Sequence, residues 1–168
     1  AKRKQRDVCL SKPLPALKIS LEKQQRILNS PVNALLKMLN DDETTSEEIL
    51  LVFCQRVRTI GLNYELIADV NFDEALELAR VCDEKRQATP KEEREKLGLL
   101  FGIPFSVKDN FKLKGLDATF GLASRCFQPQ SEDAVLIEIL KKNGAIPFVK
   151  SSGPQMMMTI ETMNHIWG

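Results

Sequence analysis

Residues 102–115 read GIPFSVKDNFKLKG, a short apolar stretch that is interrupted by Lys108. The residues alternate in character, so Phe105 and Val107 point to one face of a β-strand while Ser106 and Lys108 share the other. Lysines are rarely buried, and the long side chain can reach solvent at a strand end. The stretch therefore predicts a strand and leaves Lys108 open between a solvated side chain and a functional group.

The composition is that of an ordinary soluble globular protein. The chain has 168 residues, of which 43% are hydrophobic and 28% are charged, and its net charge is +1. This bulk charge suggests neither nucleic acid nor an acidic substrate as a partner. The single histidine, His165, excludes an H-E-x-x-H metalloprotease and leaves one candidate for a Ser-His-Asp triad.

The cysteines are widely spaced and form no C-x-x-C pair: Cys9, Cys54, Cys82 and Cys126. This spacing argues against a zinc site and against a dense disulfide framework, and it fits a reducing compartment. We expect each cysteine to act as a small buried hydrophobic residue.

The first half of the chain reads as helical. Residues 14–40 favour helix, with a break at Asn29–Pro31. Thr45 precedes Glu48 by three residues, which predicts a capping box at the start of a helix that Gly61 would end. A further helix is predicted to open at Asp73 and to run through an apolar stripe at helical spacing.

The second half alternates strands and helices. Short strands are predicted at Leu66–Val70, around Lys108 and at 145–150, and the last two are separated by a helix with Asp133 as its cap and Gly144 as its stop. Strand, connection, helix and strand in this order predict an α/β sheet with crossover connections.

The chain opens on AKRKQRDV, whose basic residues are Lys2, Arg3, Lys4 and Arg6. Such a start is usually a solvated tail, and it can also flank a membrane helix on the cytoplasmic side. The longest apolar run, Ile49 to Cys54, is too short to span a bilayer, and we recognise no signal peptide.

One ordered set of residues resembles a known family. The segments GLLFGIPFSVKDNFKLKGLDATFGLAS and EDAVLIEILKKNGAIPFVKSSGPQMMM resemble the amidase signature family, and its fatty acid amide hydrolase branch most closely. The match covers about seventy positions, and Ser151 and Ser152 depart from it because they stand where the family usually has Thr-Asn. The matching residues are Gly102, Pro104, Lys108, Thr119, Gly121, Asp133, Gly144, Ala145 and Lys150.

The resemblance implies a partial domain of the α/β class. Residues 1–60 would form an N-terminal helical region, and residues 61–168 the first strands and helices of the mixed-sheet amidase signature fold. The relay serine and the nucleophilic serine of the family would lie beyond the end of this chain.

The resemblance also implies that Lys108 is the lysine of a Ser-Ser-Lys triad that hydrolyses amides. A serine hydroxyl is a poor nucleophile until a base removes its proton, and a lysine amine can do so once burial disfavours the ammonium form. Lys150 also ends an apolar strand, but at a position where family members carry His too, and it is expected to be solvated or to pin a loop. Ser151 and Ser152 are expected in a structural turn.

Met157 and Met158 are placed by the resemblance where fatty acid amide hydrolases contact the acyl chain. Adaptable methionine side chains suit a long lipid tail, although consecutive methionines are more often core filler. The implied partners are an apolar amide substrate and a membrane surface met by the basic start, in an intracellular, membrane-associated protein. A homodimer is compatible with the sequence, and no metal or other cofactor is expected.

Two other interpretations stay open. The chain could belong to a short-amide or amidotransferase-type amidase, although the uncharged PQMMMTI segment argues mildly against a site for charged substrates. From a different class, it could be a non-catalytic α/β interaction module with a basic tail for anionic membranes. A Gly/Ser-rich segment after Gly168 would favour the enzyme.

Overall fold

The computed structural model describes all 168 residues, as a layer of helices packed on a small mixed sheet. The helices are α1 (Lys2–Ser11), α2 (Leu21–Asn29), α3 (Val32–Asn40), α4 (Ser46–Arg56), α5 (Phe72–Gln87) and α6 (Val135–Lys142). The strands are β1 (Ile67–Val70), β2 (Pro104–Lys108) and β3 (Ile146–Ser151). The predicted α/β class with N-terminal helices is confirmed.

The sheet has the strand order β1-β3-β2, so β3 lies at its centre. Strand β2 runs parallel to β3 and is connected to it through α6, whereas β1 is antiparallel to β3. In the parallel pair Val107 lies opposite Lys150, and Lys108 lies opposite Ser151. This register decides which lysine faces the interior.

The helix signals in the first half are largely confirmed. Helix α2 ends at Asn29 and α3 begins after Pro31, as the predicted break requires. The capping box is formed, because the Thr45 hydroxyl accepts from the Glu48 N–H at 3.1 Å and the Glu48 carboxylate accepts from the Thr45 N–H at 3.2 Å. After α4, the chain continues through one π-helical turn, Val57–Gly61, and stays helical at residues 62–63, so the predicted helix stop at Gly61 is wrong.

The predicted cap of α6 is wrong. Ala134, and not Asp133, occupies the N-cap position. The Asp133 carboxylate instead accepts from the Lys114 N–H at 2.7 Å and pairs with Lys141 at 2.8 Å. Gly144 ends the segment as predicted, with a φ of +82° that favours glycine.

Two hydrophobic clusters hold the helices to the sheet. The larger one joins sixteen buried residues from α1, α4, α5, the sheet and the segment before β2. At its centre the Phe148 ring lies 6.4 Å from the rings of Phe53 and Phe72. The smaller cluster joins α2, α3 and α4 to Ile103, just before β2. The start of β2 is therefore fixed by both clusters.

The basic start of the chain forms α1 and is not a solvated tail. Lys2, Arg6 and Leu10 recur at four-residue spacing on one face of α1, and all three are buried. The Arg6 guanidinium donates to the Ile67 carbonyl at 2.6 Å, which ties α1 to β1. Arg3 and Lys4 are exposed.

The four cysteines are free thiols. Cys54 and Cys82 are buried in the larger cluster, as expected for small hydrophobic residues, whereas Cys9 and Cys126 are only partly buried. Burial raises the pKa of the Cys54 thiol to about 12, so this group stays protonated at neutral pH. None of the helices combines the length and apolarity that a bilayer crossing requires.

Candidate active site

Lys108 is the last residue of β2, and its side chain is exposed together with that of Ser106. Val107 between them is only 2% exposed, which confirms the alternation seen in the sequence. The strand that carries Lys108 therefore does not bury its side chain. The apolar side chains that flank it point to the opposite face of the sheet, where they cannot cover the amine.

A turn with three methionines lies beside Lys108. A Cβ atom added at Gly153 would stand 2.9 Å from the Lys108 Cε and 2.6 Å from the Met157 Cε, so both side chains approach the same point. The turn is held by the Met156 N–H, which donates to the Phe120 carbonyl at 2.8 Å. The structure therefore brings Met157 close to Lys108.

The methionines are not core filler. Met156 and Met157 have positive φ angles of 54° and 58°, which non-glycine residues seldom adopt. Met158 is 81% exposed, and Met163 is also exposed. The turn therefore presents apolar, flexible side chains on the surface next to Lys108.

Ser151 and Ser152 lie at the end of β3, as expected for a strand-end turn. Ser151 faces Lys108 across the parallel pair, and its carbonyl accepts from the Asp109 N–H at 2.9 Å. Ser152 is buried, and its hydroxyl accepts from the Asn164 side chain at 3.2 Å. Its N–H donates to the Leu66 carbonyl at 2.8 Å. Through these backbone contacts, both serines join the end of β3 to the segments beside it.

Lys150 has an environment opposite to that of Lys108. Its side chain is completely buried, so the expectation of a solvated lysine is wrong and the alternative of a loop-pinning lysine is confirmed. The ammonium group donates to the carbonyls of Asp109 at 2.9 Å and Phe111 at 3.0 Å, and to that of Asp117. Lys150 therefore closes the loop that follows Lys108.

The charge state of Lys150 follows from these contacts. Burial lowers its pKa, and the carboxylates of Asp109 and Asp69 oppose the shift. Three carbonyl acceptors match the three N–H donors of an ammonium group, whereas a neutral amine would turn a lone pair towards a carbonyl. We therefore assign the protonated form to Lys150 at neutral pH.

Asp109 links Lys150 to a second set of buried polar groups. Its carboxylate lies 3.6 Å from the Lys150 ammonium and accepts from the hydroxyl and the N–H of Thr119. The Thr119 hydroxyl in turn accepts from the Trp167 indole and the Gly121 N–H, both at 3.2 Å. Thr119 is completely buried. The matching threonine and glycine of the sequence motif thus have a structural role.

Three further charges, which the sequence interpretation missed, lie beside this network. The Lys2 ammonium lies 3.0 Å from each of the carboxylates of Asp69 and Asp117, and all three side chains are buried. Burial alone would lower the pKa of Lys2, but the two carboxylates outweigh it and raise the pKa. An aspartate inside the short apolar strand IADV was the signal that a cation must approach.

His165 lies in the last turn of the chain and is exposed. It lines a shallow depression with Arg3, Cys126 and Phe127.

A profile of the amidase family matches residues 48–168, which is more than half of the chain. The chain therefore belongs to the amidase family. The match begins in α4 and includes the sheet, the loop after Lys108 and the methionine turn.

The curated relatives include proteins that are named for different amides. The chain is 37% identical over 82% of its length to amidase 1 of Gibberella moniliformis, and 33% identical over 88% to an acetamidase of Emericella nidulans. It is 27% identical over 86% of its length to fatty-acid amide hydrolase 1 of Sus scrofa. It spans only about a quarter of these relatives: 26%, 26% and 23% of their lengths.

Solved structures show the same fold. A fatty acid amide hydrolase superimposes with a TM-score of 0.79 at 22% identity, and the superposition covers 99% of this chain and 32% of the other. At this identity the likeness concerns the fold alone. The α/β arrangement of this chain thus corresponds to about one third of that solved chain.

Proposed function

We propose that this chain is the N-terminal part of a longer amidase-family protein that hydrolyses amide bonds, with Lys108 as the base of a Ser-Ser-Lys triad. The observation that carries the proposal is the placement of Lys108. It ends a core-anchored strand at its motif position, on the open face of the sheet beside an apolar turn. We refer below to the parent of this chain as the longer protein.

The chemistry requires Lys108 to work as a neutral amine. The amine would take a proton from a relay serine, which would activate a nucleophilic serine for attack on the amide carbonyl. The same proton would later pass to the leaving amine. Both serines would come from residues outside this chain, and the same residues would cover the exposed Lys108 and favour its neutral form by desolvation.

We propose long-chain fatty acid amides as the substrate class. Met157 approaches the Lys108 side chain, and Met158 extends the apolar surface of the same turn. A similar protein is named a fatty-acid amide hydrolase, which supports this class. Another is named an acetamidase, which supports short amides as the second candidate.

We further propose that the longer protein works at a membrane surface, because long-chain amides partition into bilayers. The basic start would contribute little beyond Arg3 and Lys4, since Lys2 and Arg6 are buried in contacts within the chain. The proposal of membrane association therefore follows from the substrate class.

The first prediction concerns the 168-residue chain alone. It contains Lys108, but no serine hydroxyl in the chain is hydrogen-bonded to a lysine amine or to the His165 imidazole, and the Ser152 hydroxyl accepts from Asn164. We expect no hydrolysis of oleamide or acetamide above background and no labelling by a fluorophosphonate probe, measured by intact mass. A stoichiometric adduct on this chain would contradict the assignment of the serines to other residues.

The second prediction concerns the methionine turn in the longer protein. If Met157 and Met158 contact the acyl chain, replacing either by Asp should reduce kcat/KM for long-chain amides far more than for acetamide. Each buried methylene contributes about 0.8 kcal/mol, so the loss should grow with chain length. The effect should be larger for Met157, whose methyl group approaches the Lys108 side chain, than for Met158, which is 81% exposed.

The matched control is Met163→Asp, which changes an exposed methionine outside the turn. It should leave the dependence on chain length unchanged. Equal losses for acetamide and oleamide in the Met157 variant would contradict an acyl-chain contact and would favour the short-amide alternative.

A further inference from the structure

The loop that follows Lys108 is held by one buried cation, the Lys150 ammonium group. All three hydrogen bonds of the Lys150 ammonium end on backbone carbonyls of this loop, at Asp109, Phe111 and Asp117. The Lys150 side chain has no exposed surface. A loop whose carbonyls converge on one ammonium group cannot shift without breaking several of these bonds together.

Asp109, the residue next to Lys108, is fixed at every polar group. Its N–H extends the parallel ladder to the Ser151 carbonyl at 2.9 Å, and its carbonyl accepts from Lys150 at 2.9 Å. Its carboxylate is held by Thr119 and lies 3.6 Å from the Lys150 ammonium. The backbone that carries Lys108 therefore has little freedom at the point where the strand ends.

The two lysines point to opposite faces of the sheet. Lys150 pairs with the buried Val107, whereas Lys108 pairs with Ser151, and residues that are directly opposite in a ladder share a face. Lys150 consequently has no access to the open face on which the proposed chemistry takes place. Any effect of Lys150 on the reaction must pass through the backbone.

We propose that Lys150 is a positioning residue for Lys108: with Asp109 and Thr119 it fixes the end of β2 so that the Lys108 amine meets the proton it must accept. This inference rests on the proposed function of Lys108 as the base. A displacement of about 1 Å in a reacting group can cost on the order of 10²-fold in rate. We therefore expect turnover to fall about 10- to 100-fold when the Lys150 ammonium group is removed.

A double-mutant cycle in the longer protein tests this proposal. Lys150→Met keeps the length of the side chain and removes the ammonium group, and it is combined with Lys108→Ala. We expect Lys150→Met to lower kcat about 10- to 100-fold at nearly unchanged KM when Lys108 is present. In the Lys108→Ala background, which retains residual catalysis from the other groups, it should cost less than about twofold.

The outcomes separate the inference from the proposed function. If Lys150→Met lowered kcat by the same factor in both backgrounds, Lys150 would support the structure as a whole. This result would overturn the positioning role of Lys150 and leave the proposed function untouched. Lys108→Ala with the turnover of the parent would overturn the proposed function, and the inference with it. An unchanged kcat for Lys150→Met in a folded protein would also overturn the inference.

Two further variants guard against a simple folding defect. Arg94 is another buried cation, and it donates to the Thr89 and Asn40 carbonyls away from β2. Arg94→Met should lower the melting temperature without the fall in kcat that is expected for Lys150→Met. If Lys150→Met does not fold, Thr119→Val removes the hydroxyl that donates to the Asp109 carboxylate and enters the same cycle. It should show the same dependence on Lys108, and equal losses in both backgrounds would again contradict the proposal.

Discussion

Lys108→Ala is expected to lower the turnover of the longer protein by about 10²–10⁴-fold, the usual contribution of a positioned general base. The side chain lies on the open face of the sheet, next to the methionine turn and away from the hydrophobic core. Its removal should therefore leave the fold intact, and the loss should appear in the chemical step. Steady-state rates on one amide, with melting curves of both proteins, provide the measurement.

The dependence on pH gives a second signature of the same change. A general base must be unprotonated to accept a proton, so a reaction that depends on one slows towards low pH. Lys108→Ala should flatten this fall, because the group whose deprotonation is required is no longer present. Residual activity with the parent's pH profile would indicate that another group is the base.

Lys112→Ala provides the matched control for Lys108. Lys112 lies in the loop directly after β2, and its ammonium pairs with the exposed Glu132 at 3.0 Å. Both side chains of this pair are exposed, so the substitution should change neither turnover nor stability by much. If Lys112→Ala lost as much turnover as Lys108→Ala, the comparison would indicate that Lys108 is only a solvated residue at a strand end.

Lys150→Ala is expected to destabilise the longer protein by about 3–5 kcal/mol, the usual cost of removing one partner from a buried ion pair. The change would leave the Asp109 carboxylate buried without its cation. It would also leave the carbonyls that bind the ammonium without a donor, namely those of Asp109, Phe111 and Asp117.

Denaturant unfolding of the Lys150 and Lys112 variants would measure the difference. Lys112→Ala should cost about 0–1 kcal/mol, because exposed ion pairs contribute little to stability. If the two lysine variants proved equally stable, the buried contacts of the Lys150 ammonium would contribute nothing to the free energy of unfolding. The structural basis of the positioning role would then be lost.

Local signals predicted the elements around the site. The alternation at 105–108 placed Val107 and Lys108 on opposite faces of β2, and the capping box at Thr45 placed the start of α4. These features depend on neighbours within a few residues, which the sequence displays directly. The break between α2 and α3 was visible for the same reason.

Non-local partners explain what the sequence did not reveal. Lys108 and Lys150 both end apolar strands that carry a proline, and only their register places one outside and the other inside. A shift of one residue in a strand exchanges its two faces, and no local pattern specifies that register. Likewise, Lys2 reads as part of a basic tail until Asp69 and Asp117 are brought to it by the fold.

The cap of α6 failed for a related reason. Asp133 has the right residue type one position before the observed cap, but Lys141 and the Lys114 N–H compete for its carboxylate. Capping rules rank residue types and do not include such competing partners.

The role of Lys108 as the base is tested by the rate of fluorophosphonate labelling of the longer protein, measured by intact mass with and without Lys108→Ala. The probe reports an activated serine and requires no knowledge of the natural amide. We expect a single adduct on the parent protein and labelling slowed by about 10²-fold or more in the variant, with Lys112→Ala labelled at the parent's rate. Equal labelling rates with and without Lys108, or a folded parent protein that takes up no probe, would contradict it.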